Sequence, residues 1–110
     1  MPRAATTSDV FNAVAESRRR DILFYLAPGE RPVGDIVAAI GLGQPSVSKH
    51  LKVLHDVGLV RHRRDGRQML YRTNIEALRP LRDFTETFER FWNNQLLRVK
   101  ESAEAKGGKP

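Results

Sequence analysis

LGQPSVSKHLKVLHDVGLV, residues 42–60, opens on Gly43 and Pro45 and then spaces its apolar residues as a helix does. At about 100° per residue, Val47, Leu51, Leu54 and Gly58 fall on one side. Pro45, Ser48, Lys49, Lys52 and Asp56 fall on the other, with Gln44 at the start beside Ser48. Pro45 suits a first turn, where N–H groups have no helical partner. The spacing predicts a helix over 44–57 that stops at Gly58.

The flanking sequence says what this helix belongs to. Before it, a shorter helix is predicted over 34–40, with Ile36, Val37 and Ile40 inward, Gly41 ending it and Leu42 dropping into the core. Short helix, tight Gly turn and second helix make a helix-turn-helix over 34–57. After it, LVRHRRDGRQMLYRT (59–73) changes period. Asp65-Gly66 is a two-residue hairpin signal of the kind that needs positive φ. A turn there pairs Arg64 with Arg67 and His62 with Met69. A hairpin directly after the second helix makes a winged helix-turn-helix, mainly α with a small β-hairpin.

Farther out the signals are plainer. Ser8 is read as the cap of a helix over 9–15 carrying Val10, Phe11 and Val14, and Ser17 as the cap of one over 18–27 that buries Ile22, Leu23 and Leu26. Pro28-Gly29 ends the latter. The chain is helical again from Ile75, and Pro80 either starts or kinks a long helix over 80–101. Residues 1–8 and 102–110 are small and polar and read as disordered, leaving one domain over 9–101.

Composition narrows the chemistry. The 110 residues carry a formal net charge of +6, which suggests a polyanionic partner, nucleic acid or an anionic membrane surface. There is no Cys, so disulfides, thiolate metal sites and thiol switches are excluded. No apolar run approaches the ~18 residues of a membrane span, and the start lacks a secretory apolar segment. The reading is of a cytoplasmic protein.

The polar face of the 44–57 helix suits a DNA major groove. Gln and Lys reach base edges, and Ser allows close approach to phosphate. Gln44, Pro45, Ser46, Ser48, Lys49 and Lys52 are the candidate contacts. The hairpin holds Arg61, Arg63, Arg64, Arg67 and Arg72, whose repulsion phosphates would relieve. Arg63, Arg64 and Arg67 are the candidate grips, and Arg61 and Arg72 are read as structural. An ordinary solvated helix face is the bland alternative. The helix-turn-helix before it and the basic hairpin after it decide against that.

SRRRDILFYL (17–26), GQPSVSKHLKVLHDVGLV (43–60), RRDGRQMLYR (63–72) and FW (91–92) together resemble the ArsR/SmtB family of bacterial winged-helix repressors, over about residues 9–100. The resemblance implies a homodimer on a two-fold symmetric operator, with Gln44, Ser48 and Lys49 facing DNA and the wing tip on the backbone or minor groove. Repression rests on the resemblance alone.

Two departures matter. The family's Cys and Asp/His metal sets are missing. His50 and His55 lie roughly 140° apart on the helix, so one ion cannot easily take both. His50 is read as a core-edge residue and His55 as solvent- or backbone-facing. No metal and no cofactor are expected. Catalysis also fails: Ser46, Ser48, His55 and Asp56 share one exposed helix with nothing to orient them, and GLGQPS (41–46) is no phosphate loop.

The last helix repeats Leu81, Phe84, Phe88, Phe91, Trp92, Leu96 and Val99 at helical steps. The core is already supplied by the earlier helices. A second copy is therefore expected to cover Phe84, Phe88, Phe91, Trp92 and Leu96, with Phe11 and Val14 completing the interface. Two other functions stay open: a small-molecule-responsive regulator with a pocket at Phe84, Phe88 and Trp92, and a protein-interaction module that has lost operator binding. A membrane-surface role is disfavoured, because the stripe lacks flanking Lys/Arg.

Overall fold

A computed structural model of the chain describes the backbone over residues 7–107 and the side chains over 9–100. The elements are α1 (Thr7–Val14), α2 (Ser17–Leu26), β1 (Arg31–Pro32), α3 (Val33–Ile40), α4 (Gln44–Asp56), β2 (Val60–Asp65), β3 (Gln68–Thr73), a 3₁₀ turn (Ile75–Leu78) and α5 (Arg79–Gly107). They fall into two compact units, Met1–Pro80 and Leu81–Pro110.

The first unit is a helical core with a ribbon. Val10 and Ala13 of α1, Ile22, Leu23 and Leu26 of α2, Ile36 of α3, Val47, Leu51 and Leu54 of α4, and Leu59 and Val60 are buried. The helical ones among them are the positions that helical periodicity turns inward. Phe11, Val14, Val37, Ile40 and Leu42 are half-buried, so Leu42 edges the core from its turn instead of dropping into it.

The helix ends are where the structure corrects the reading. Thr7 and Ser8 already belong to α1, so Ser8 is no cap, and Asp9 sits in its first turn, where the helix dipole favours an acid. Glu16, not Ser17, caps α2: its backbone is extended and Oε1 accepts from the Arg18 N–H at 2.7 Å. That backbone hydrogen bond holds the Glu16 carboxyl below the usual carboxylate range. The basic run of α2 closes the helix before it. Arg19 Nε donates to the Ala13 carbonyl at 2.6 Å and Arg20 Nη1 to that of Val14 at 2.8 Å. Both are last-turn carbonyls that lack a helical partner.

The end of α4 launches the ribbon. Gly58 takes φ 83°, its N–H donates to the His55 carbonyl at 3.0 Å, and the Leu59 N–H reaches back to Leu54 at 2.8 Å. This is a Schellman cap, in which the left-handed residue is glycine because a Cβ is disfavoured there. It turns Leu59 into the core, where Leu54 is also buried. Asn74 then clips the ribbon's far end to the same place, its N–H donating to the Leu59 carbonyl at 2.8 Å and Nδ2 to that of Gly58 at 3.0 Å.

The sheet has three strands in the order β1-β3-β2, all antiparallel. The strand β1 was not foreseen. It is two residues long, and Pro32 is tolerated there because an edge strand need not donate on both sides. The hairpin register also differs from expectation. Asp65 pairs with Gln68, Arg64 with Met69 and His62 with Tyr71, so the loop is Gly66-Arg67. Gly66 has φ 65° and no non-glycine residue among those described has positive φ, which is a type II′ turn. Asp65 stays in the ladder because the turn needs one left-handed residue, and glycine supplies it. The displacement is by two residues, so every side chain keeps its expected face.

The second unit is the helix α5. The helix itself begins at Arg79, two residues before that unit, and continues to Gly107, so residues 102–107 extend the helix and are not the expected tail. Glu101, Ala103, Glu104, Ala105 and Lys106 are residues that favour or tolerate helix. Pro80 starts this helix, within its first turn. The disorder expected for 1–6 and 108–110 lies outside the described residues.

Candidate nucleic-acid interface

Burial of Val47, Leu51 and Leu54 anchors α4 by one side. The opposite side is therefore presented to solvent: Gln44, Pro45, Ser46, Ser48, Lys49 and Lys52 are all exposed. Gly43 precedes the helix and no side chain caps it. Its first N–H groups add to the positive end of the helix dipole beside Gln44 and Ser46. Lys52 is drawn toward Asp56, with Nζ–Oδ2 at 3.3 Å. Lys49, one turn nearer the start, is in no ion pair among the described residues, and neither are Arg64 and Arg67.

The register sorts the hairpin arginines. Directly opposed residues share a face and neighbours alternate. Val60 with Thr73, His62 with Tyr71 and Arg64 with Met69 form one face. Val60 and Thr73 are buried in the core, and the His62 ring stacks on His55 of α4 with centroids 4.3 Å apart. That face thus looks toward α4, and Arg64 continues it toward the tip. Arg61 with Arg72 and Arg63 with Leu70 form the outer face. Arg67 sits in the turn itself.

Arg63 has a partner within the chain. Its Nε donates to Glu30 Oε2 at 2.7 Å and its Nη2 to Oε1 at 2.9 Å. That hydrogen bonding pulls the Glu30 carboxyl below its ordinary range and raises the Arg63 guanidinium. Arg63, a candidate grip on DNA, is forked in the single chain onto a carboxylate from the loop before β1. Arg61 and Arg72 face each other with Glu76 lining the same hollow of about 290 Å³.

The histidines are less dispersed than their spacing implied. His50 is half-buried, with Nδ1 3.5 Å from Arg19 Nη1, as a core-edge residue should be. His55 is exposed, as expected, and its ring stacks on that of His62, which leans on Tyr71 at 5.3 Å. Neither the stack nor the Arg19, Arg20 and Glu30 contacts carry a local sequence signal. Among the described residues no three His, Cys, Asp or Glu are grouped to hold an ion.

On α5, Phe84, Phe88, Phe91, Trp92 and Leu96 are all exposed in the single chain, Phe88 at 59% and Trp92 at 55%. The Phe84, Phe88 and Phe91 rings contact one another along the helix at 6.0 and 6.4 Å. The hollow of about 460 Å³ lined by Phe84, Thr85, Phe88, Glu89 and Trp92 is made by α5 alone. It is an open face and not an enclosed pocket. No helix among the described residues is long and apolar enough to cross a membrane.

Residues 16–62 match the family described as bacterial regulatory protein, arsR family. The chain is 41% identical over 66 residues to a probable mercury resistance operon repressor of Streptomyces lividans, covering 60% of this chain and 53% of that protein. It thus spans about half the length of that relative. It is 32% identical over 97 residues to the HTH-type transcriptional regulator Rv2034 of Mycobacterium tuberculosis, covering 88% of both. Among solved structures, it superposes with a TM-score of 0.63 on a homodimeric winged helix-turn-helix DNA-binding domain of Mycobacterium bovis, a possible ArsR-family regulator, at 34% identity over 74% of this chain and 77% of that one. Relatives of this kind are named as regulators and repressors, not as enzymes.

Proposed function

The chain belongs to the bacterial ArsR family of transcriptional regulators, and we propose that it is a homodimeric repressor that reads an inverted-repeat operator without sensing metal. The observation that carries this reading is the exposed row Gln44, Ser48 and Lys49 on α4, with Arg64 on the ribbon face that looks toward it. In this reading Gln44, Ser48 and Lys49 enter the major groove, Pro45 and Ser46 allow close approach, and Lys52 lies at the groove edge. Arg64 and Arg67 hold the backbone. Arg63 supports the ribbon through Glu30.

The second copy is the occupant that best fits the α5 stripe. Aromatic residues of this size are covered in stable proteins, and the Mycobacterium bovis relative is a homodimer. A two-fold dimer sets its two α4 helices in successive major grooves, so half-sites lie about one turn, ~10 bp, apart or a little more. Indifference to metal is supported by the lack of Cys and by His50 lying with Arg19, away from the His55–His62 pair. Operator affinity in low-micromolar Zn(II), Ni(II), Co(II) or Cd(II) should equal that in chelator. A tight stoichiometric site that shifts affinity would overturn that part.

The main test is binding to operator and to scrambled DNA across a salt series. Gln44→Ala or Lys49→Ala should cost roughly 1–3 kcal/mol on the operator and relax one position per half-site. Arg67→Ala should weaken all sequences alike and flatten the salt slope by about one unit per protomer. If Arg67→Ala changed base preference alone, the wing would be reading bases and the division of roles would be wrong.

A further inference from the structure

Glu30 stands just before β1, and Arg63 lies two strands away on β2, with β3 between them. Pro32 and Arg63 are both opposite Leu70, so the Arg63 side chain spans the sheet at that level to reach Glu30. The contact is a fork at 2.7 and 2.9 Å, which fixes orientation as well as distance. Both side chains keep solvent access, 58% for Arg63 and 31% for Glu30. An exposed pair of this kind contributes little to global stability. Its geometric effect is larger: β1 runs directly into α3, so the fork ties the outer strand of the ribbon to the start of the helix-turn-helix.

The fork has an electrostatic consequence too. A carboxylate that takes the Nε–Nη2 fork of Arg63, two of its five N–H donors, and offsets its charge competes with a DNA phosphate for the same edge. Arg64 and Arg67, next to it along the ribbon, have no such partner among the described residues. We infer that Glu30 is a positioning residue for DNA binding, holding the ribbon at one angle to α4 and withholding Arg63 from the DNA backbone. This rests on the reading of the ribbon as the grip on DNA.

The test is the salt dependence of binding by the full chain to operator and scrambled duplexes. Glu30→Gln keeps the shape of the side chain and frees Arg63. Each freed cation that finds a phosphate steepens the slope by about 0.9, or about 1.8 for two protomers, an extra loss of ~12-fold in affinity between 50 and 200 mM salt. The ratio of operator to scrambled affinity should fall as well. Arg63→Gln should leave the slope unchanged while lowering that ratio. The double variant should return the slope to the wild-type value, and Glu30→Asp, which keeps the charge, should hold it there. A wild-type or shallower slope for Glu30→Gln overturns the inference, as does a shallower slope for Arg63→Gln. Arg67→Ala in the same series separates the two claims: a flatter slope there upholds the ribbon as grip whatever Glu30 does, and an unchanged slope removes that reading itself.

Discussion

Replacing Thr73 by Val should loosen the attachment of the ribbon to the helical core. Thr73 is 6% exposed, and its Oγ1 donates to the Leu23 carbonyl at 2.7 Å. Leu23 lies in the last turn of α2, where carbonyls run out of helical partners. Its ordinary partner would be the Ala27 N–H, which goes instead to Phe24 at 3.3 Å. The hydroxyl therefore satisfies an acceptor that the helix leaves open. Val fills the same volume and supplies no donor. A buried acceptor left unsatisfied costs about 1–3 kcal/mol, offset by ~0.8 kcal/mol from the extra buried methyl. The net loss is about 0.2–2.2 kcal/mol, or a fall in Tm of roughly 1–18 °C for a unit of this size. Thermal and urea unfolding should be compared at one chain concentration, since a dimer's apparent stability depends on it. Thr73→Ser keeps the donor and should leave the Leu23 carbonyl chemical shift in place, whereas Val should move it. A Val variant as stable as wild type, with an unmoved Leu23 carbonyl, would show that the hydroxyl does not serve that acceptor.

Three further outcomes follow from other parts of the molecule. Gly58→Ala meets no neighbour within 4 Å, so its cost is backbone strain at φ 83° less the entropy gained from a stiffer unfolded chain. That is a loss of about 1 kcal/mol by chemical denaturation, and Gly58→Asn should lose less; an Ala variant more stable than wild type would contradict the cap. Because Arg63 depresses the folded-state pKa of Glu30, their mutual stabilisation is full above the ordinary glutamate range and is lost as pH falls through the lowered value. A carbon-detected titration should find the Glu30 midpoint below normal in the wild type and back toward normal in Arg63→Gln; equal midpoints would dissolve the pair. Phe88→Ala with Trp92→Ala should convert dimer to monomer in sedimentation, since burying each ring in a partner is worth about 3–5 kcal/mol. An unchanged dissociation constant would remove α5 from the interface.

Local signals in the sequence carried the helix-turn-helix and the wing. The apolar spacing of Val47, Leu51 and Leu54, the Pro45 start and the Gly58 stop depend on a few neighbouring residues, so they can be read in a line. So can the face of each ribbon residue, because alternation survives a register error of two. The tertiary structure decided what each polar side chain does. Glu30 and Arg63 are 33 positions apart, Thr73 and Leu23 are 50 apart, and Arg19 meets His50 across 31. None of these pairings has a periodicity to betray it. A guanidinium suits a phosphate, a carboxylate or an orphan helix carbonyl equally well, and the approach of distant elements selects among them. Arg19 and Arg20 close α1 through its last carbonyls, and Arg19 also reaches His50. Arg63, Arg64 and Arg67 looked alike, and the packing of the sheet gave Arg63 a carboxylate partner from across β3 and left Arg64 and Arg67 in solvent.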